Sequence, residues 1–142
     1  MHITFICTGN TCRSPMAEGI AKKIIAEKYS DSGITVSSAG VSASNGSAPS
    51  EKSVQVCEEI GVDISNYRSN SVSHDLLEST DLFAVMTKSH ADILKFYGIP
   101  EDKIVVLGDG IPDPFSGSVM IYRKCRDIIA DAVDELLAKY AK

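Results

Sequence analysis

The sequence predicts an α/β fold: a doubly wound, four-stranded parallel sheet in the strand order 2-1-3-4, with helices on both faces. Three observations lead there. Four short apolar runs rich in β-branched residues alternate along the chain with segments of helical periodicity. A strand, a helix and a second strand follow one another within residues 2–38, a βαβ unit that implies parallel strands and a right-handed crossover. Between that first strand and helix lies a polar loop, Cys7-Thr8-Gly9-Asn10-Thr11-Cys12-Arg13-Ser14. It falls beside the topological switch, where open sheets of this kind bind ligands. With 142 residues, 44% hydrophobic and 23% charged, the chain can build one substantial core but not two, so residues 1–142 are expected to form one domain.

Each element has its own signal. His2-Ile3-Thr4-Phe5-Ile6 is apolar and β-branched, a buried strand. Ser14 is placed as an N-cap with Pro15 at the first helical position, where its missing N–H costs nothing. Ala17, Ile20, Ala21, Ile24 and Ile25 then form the buried stripe of a helix over residues 15–29. Gly33 turns the chain into a second strand over residues 34–38, and the Ser/Asn/Gly/Pro-rich residues 43–50 form a surface loop. The next helix spans residues 51–60, with Val54, Cys57 and Ile60 inward and Gly61 as its stop. Residues 62–72 carry no clear period. Ser73 caps a short helix over 74–79, and residues 81–86 form the third strand. Thr87 caps a helix over 88–97 that Gly98 and Pro100 end, and residues 103–107 form the fourth strand. Ser118 caps the last helix, whose stripe reads Ile121, Cys125, Ile128, Ile129, Ala132, Val133, Leu136 and Tyr140.

The loop at residues 7–14 has the make-up of an anion cradle. Backbone N–H groups between a strand end and a helix start can turn inward, and the helix dipole adds positive potential. Arg13 supplies a planar fork for two anion oxygens. Cys7 stands at the strand end, where amides, helix terminus and guanidinium all favour thiolate over thiol. Gly9 is expected to supply a positive φ, and Asn10 and Ser14 to brace the loop and hydrogen-bond the sulfur. A thiolate beneath a tetrahedral oxyanion points to attack on phosphorus and a phosphocysteine intermediate. Such a reaction needs an acid for the leaving group. Asp113, after the fourth strand and restricted by Pro114, is the best candidate, with a plain turn aspartate as the alternative.

The Cys-x5-Arg-Ser loop, followed by Pro15-Met16-Ala17-Glu18, resembles that of the low-molecular-weight protein tyrosine phosphatase family, in particular its bacterial protein-arginine phosphatase branch. Ser38-Ala39-Gly40 and Asp113-Pro114-Phe115 extend the resemblance over almost the whole chain. It implies Cys7 as nucleophile, Arg13 as phosphate clamp and Asp113 as general acid and base, with Thr8, Gly9, Asn10, Thr11, Cys12 and Ser14 around the phosphate. It also implies that Ser38 hydrogen-bonds Asn10 and holds the cradle in shape. Phe115 walls the pocket, and Cys12 is either a resolving thiol for oxidised Cys7 or a packed loop residue. The tyrosine-specific members usually carry an aliphatic residue where this chain has Thr11, and a tyrosine where it has Phe115. Thr11 offers a hydroxyl to a polar leaving group, and no aromatic residue lies in residues 41–46. These features favour phosphoarginine in a protein substrate, with phosphotyrosine as the alternative.

Other readings fit less well. A thiol-dependent arsenate reductase would need relay cysteines around residues 75–95, and that stretch has none. A phosphate-sensing module would not need Cys7 or Asp113, and a phosphocysteine carrier would lack the paired acid. Cys57 and Cys125 read as small core residues on apolar helix faces. The Cys7–Cys12 spacing does not match common zinc patterns, so neither metal nor cofactor is expected. His2, His74 and His90 are expected at the surface or beside strands. A net charge of -5 disfavours non-specific nucleic-acid binding, and no apolar run approaches the roughly 20 residues that span a bilayer. Four cysteines with no secretory signal point to a reducing, cytoplasmic setting, and the chain is expected to be monomeric.

Overall fold

The computed structural model describes residues 1–141. Strands β1 (His2–Cys7), β2 (Thr35–Gly40), β3 (Leu82–Val85) and β4 (Ile104–Val106) form one parallel sheet in the order 2-1-3-4. Helices α1 (Arg13–Lys28), α2 (Glu51–Glu58), α3 (His74–Ser79), α4 (Lys88–Phe96) and α5 (Val119–Tyr140) connect and cover it. Alternation along the strands sorts the core into two layers. Ile3, Phe5, Leu82 and Ala84 face one layer, closed by α1, α2 and α5; Ile6, Phe83 and Val85 face the other, with Ala91 and Leu94 of α4. β1 is buried on both faces and so reads as a continuous apolar run.

Its one polar interior residue, Thr4, is fully buried and bonds Thr80 Oγ1 at 2.7 Å. Ser73, Thr87 and Ser118 cap α3, α4 and α5, each accepting from a backbone N–H three residues on.

Several expectations need correction. The α1 N-cap is Cys12, not Ser14, and makes no side-chain capping bond. Ser14 lies inside the first turn because its hydroxyl is taken by Cys7 and Asn10 instead. The α5 stripe holds at Cys125, Ile129, Ala132, Val133 and Leu136 but differs at its edge. Ile121 and Ile128 are exposed, while Tyr122 and Arg126 are buried. These longer side chains reach partners that an isoleucine cannot. Tyr122 Oη lies 3.4 Å from Cys12 Sγ, and Arg126 Nη1 donates to the Val56 carbonyl at 2.9 Å and to Glu59 at 2.7 Å.

Glu59 also takes a two-pronged bond from Arg123. Hydrogen bonds from Arg123, then from Arg126, hold its carboxyl down to about 2. In α2, which ends at Glu58 rather than at residue 60, Ser53, Val56 and Cys57 are buried and Val54 is only half-buried, as is Ile60 just beyond it.

Candidate functional site

β1 ends at Cys7 and α1 begins at Arg13, so the loop between them lies at the carboxyl edge of the sheet. The two residues that follow β2 close against it through backbone bonds, Val41 N–H to the Cys7 carbonyl at 3.0 Å and Ser42 N–H to the Thr8 carbonyl at 2.9 Å. Gly40 permits that approach. A Cβ there would overlap the Thr8 carbonyl and stand 3.0 Å from the Asn10 nitrogen. The positive φ expected at Gly9 falls instead on Asn10, at 57°. Asparagine tolerates that region, and its side chain is tied down on every side.

Asn10 Nδ2 donates to Ser14 Oγ at 2.6 Å and Ser38 Oγ at 3.1 Å. Its Oδ1 accepts from the Tyr67 hydroxyl at 2.6 Å and the Asn70 N–H at 2.8 Å. Since Ser14 Oγ accepts from Asn10, its own proton is free for Cys7 Sγ, 2.8 Å away. The Asn10 N–H donates to the same sulfur at 3.2 Å. Cys7 is buried and its sulfur sits under these two hydrogen-bonding groups.

A cavity of about 240 Å³ opens above this sulfur. Cys7, Thr8, Gly9, Thr11, Cys12, Arg13, Asp113 and Phe115 line it. Arg13 is buried, and its Nη1 donates to the Ile111 carbonyl at 2.8 Å, which fixes the guanidinium to the loop after β4. Its Nη2 stands 3.9 Å from Asp113 Oδ2. The other oxygen, Asp113 Oδ1, accepts the Phe115 N–H at 3.0 Å, so one turn aims the carboxylate. Pro114 is buried, whereas Phe115, which lines the cavity, is 74% exposed.

Sequence reasoning missed two residues of this site. Tyr67 lies in the stretch without a period, and its hydroxyl joins Asn10 and Ser38, 2.6 Å from each. Burial pushes its pKa up, so it stays a neutral donor. His90, expected at the surface or beside a strand, is buried at the start of α4, with Nε2 2.9 Å from Thr8 Oγ1. Burial, then the Arg13 charge, holds its imidazole down to about 4. Neither position had a sequence signal, since each is brought to the loop only by packing of separate elements. The remaining cysteines lie apart from the cavity. Burial pushes the thiols of Cys57 and Cys125 up to about 12. Among the described residues, no three His, Cys, Asp or Glu side chains form a group that could hold a metal ion.

A buried cysteine under an arginine-closed loop, at the carboxyl edge of a doubly wound sheet, defines the class of phosphatases that use a Cys-x5-Arg loop. Within that class the chain belongs to the low molecular weight phosphotyrosine protein phosphatase family, whose model matches residues 2–142. It is 38% identical over 150 residues to a protein-arginine-phosphatase of Bacillus subtilis, covering 100% of this chain and 95% of that protein. It is also 36% identical over 132 residues to arsenate reductase 2 of Staphylococcus epidermidis, covering 93% and 92%. Among solved structures, a mutant of the YwlE arginine phosphatase with a phosphorylated active-site serine superposes with a TM-score of 0.91 at 34% identity. That match covers 98% of this chain and 95% of the other.

Proposed function

We propose that this phosphatase hydrolyses phosphoarginine in proteins through a phosphocysteine intermediate. The observation that carries the substrate choice is Thr11, a β-branched residue with a hydroxyl, half-buried on the cavity wall that holds Cys7, Arg13 and Asp113. A guanidinium leaving group is polar and planar, and finds there a hydroxyl and a carboxylate rather than an apolar slot. In the first step the Cys7 sulfur attacks phosphorus, the P–N bond breaks, and Asp113 gives its proton to the departing nitrogen. Arg13 and the loop amides hold the oxygens on which charge gathers. In the second step water attacks phosphorus, Asp113 takes its proton, and the S–P bond breaks to release phosphate and the thiolate. Phosphorylation of an active-site side chain in the solved YwlE mutant supports a covalent route.

Side-by-side kcat/KM on phosphoarginine and phosphotyrosine peptides tests the choice. Preference for phosphoarginine is expected, and preference for phosphotyrosine would overturn it. Arsenate reduction is disfavoured because Cys57 and Cys125 are buried thiols held protonated, which makes them poor members of a relay.

Cys12, packed against Tyr122, is the resolving thiol in this reading. Mild peroxide is expected to inactivate the enzyme reversibly, with a Cys7–Cys12 bond found by mass spectrometry. Cys12→Ser should stay active and lose that recovery. Equal recovery in the two proteins would leave Cys12 a packing residue.

A further inference from the structure

The reaction leaves one buried titratable side chain beside the cavity without a task. His90 is 4% exposed, and each ring nitrogen meets one threonine hydroxyl: Nε2 to Thr8 Oγ1 at 2.9 Å, Nδ1 to Thr87 Oγ1 at 3.0 Å. The ring is neutral, because burial and then Arg13 oppose a proton more than Asp113 favours one. A neutral imidazole donates at one nitrogen and accepts at the other. Thr87 Oγ1 already accepts the His90 N–H in capping α4, at 3.4 Å, so its own proton is available to Nδ1. In the tautomer with the proton on Nε2, that N–H donates to Thr8 Oγ1. With that lone pair occupied, the Thr8 hydroxyl proton is left for the cavity that Thr8 lines beside Cys7 and Arg13. The opposite tautomer would take the Thr8 proton and leave only lone pairs facing an oxyanion, which repels them.

We propose that the Thr8 hydroxyl is a phosphate-binding donor of this site, and that His90 is the positioning residue that orients it. The chain of donors runs from Thr87 O–H to His90 Nδ1, and from His90 Nε2–H to Thr8 Oγ1. This rests on the phosphatase reading, since it requires that the cavity hold a phosphate. It adds a side-chain donor from within the loop, the Thr8 hydroxyl, oriented by a residue of α4.

The test is competitive inhibition by inorganic phosphate, with para-nitrophenyl phosphate as substrate. Losing a hydrogen bond to a charged group weakens binding by about 10- to 150-fold. Thr8→Val is expected to raise the phosphate Ki by at least about tenfold in that range, while Thr8→Ser, which keeps the hydroxyl, stays near wild type. His90→Leu should raise Ki severalfold, and His90→Gln, which keeps a donor, should recover part of the loss. In the Thr8→Val background His90→Leu should add nothing, whereas a histidine that only packs would cost the same in both backgrounds. Nitrogen-15 NMR of the wild-type imidazole with phosphate bound supplies a readout independent of mutant folding, and should show the proton on Nε2. An unchanged Ki in Thr8→Val, additive losses, or a proton on Nδ1 would each overturn the proposal. A wild-type enzyme that phosphate does not inhibit would overturn the phosphatase reading as well, so the two failures are distinct.

Discussion

Among single residues, the proposed chemistry rests on Thr11 and Asp113, which both line the cavity above Cys7. Thr11→Ile keeps the β-branched shape and the loop backbone, but turns the cavity wall apolar. A polar group left facing hydrocarbon costs about 1–3 kcal/mol, roughly 5- to 150-fold in relative rate when felt in the transition state. The ratio of kcat/KM for phosphoarginine over phosphotyrosine should fall by a factor in that range, chiefly through loss of the arginine reaction. A ratio that stays put in an active mutant would move the selector to Phe115 or residues 41–46. Asp113 is held at one oxygen by the Phe115 N–H and faces Arg13 with the other, which fixes the side chain at the cavity beside Cys7. Asp113→Ala should slow poor leaving groups by roughly 10²–10⁴-fold and spare an activated phenol, which departs unprotonated. Equal losses on both substrates would reduce Asp113 to a loop-shaping residue.

Between elements, the decisive contact is the close approach of the β2 end to the β1–α1 loop. Gly40 is the residue that allows it. In Gly40→Ala the new methyl would meet the Thr8 carbonyl, the Asn10 nitrogen at 3.0 Å and the Ala43 Cβ at 2.9 Å, and two of those three are backbone atoms. Backbone cannot step aside as a flexible side-chain end can, so the loop itself must shift. Overpacking of this kind typically costs about 1–3 kcal/mol. Gly40→Ala should therefore lower the thermal midpoint by several degrees and reduce kcat/KM together, because the displaced atoms carry Asn10 and the sulfur's donors. A mutant that loses stability but keeps full kcat/KM would show that the loop tolerates the shift.

Across the whole molecule, His90 links the site to stability through pH. The unfolded chain binds its proton near 6.5 and the folded chain only at about 4. The unfolded state thus holds more protons between those values, and stability is lost as pH falls through them. Above pH 6.5 both forms are neutral and the effect vanishes. Urea midpoints at pH 7 and pH 5 should fall more in wild type than in His90→Gln, since other groups titrate alike in both. Parallel declines would mean that His90 protonates freely in the fold. The same burial that makes the histidine neutral also makes it costly to charge.

The sheet order, the four strands, three of the helix caps and the residues of the Cys7–Ser14 loop were legible in the sequence. They depend on local period, on β-branched runs and on side chains that bond their own backbone a few residues away. Asp113 was legible too, as an aspartate held in a loop by the proline that follows it. Tertiary packing alone decided which residues complete the site. Tyr67 and His90 are separated from the loop by 57 and 82 positions from their partners Asn10 and Thr8, so no local pattern marks them. The helix faces were decided the same way. Ile121 and Ile128 fit an inward stripe by period, yet Tyr122 and Arg126 took the interior because each finds a hydrogen-bond partner there. Periodicity sets which positions share a face. Only the neighbouring elements, with their carbonyls and hydroxyls in place, determine which of two adjacent faces gains more by burial.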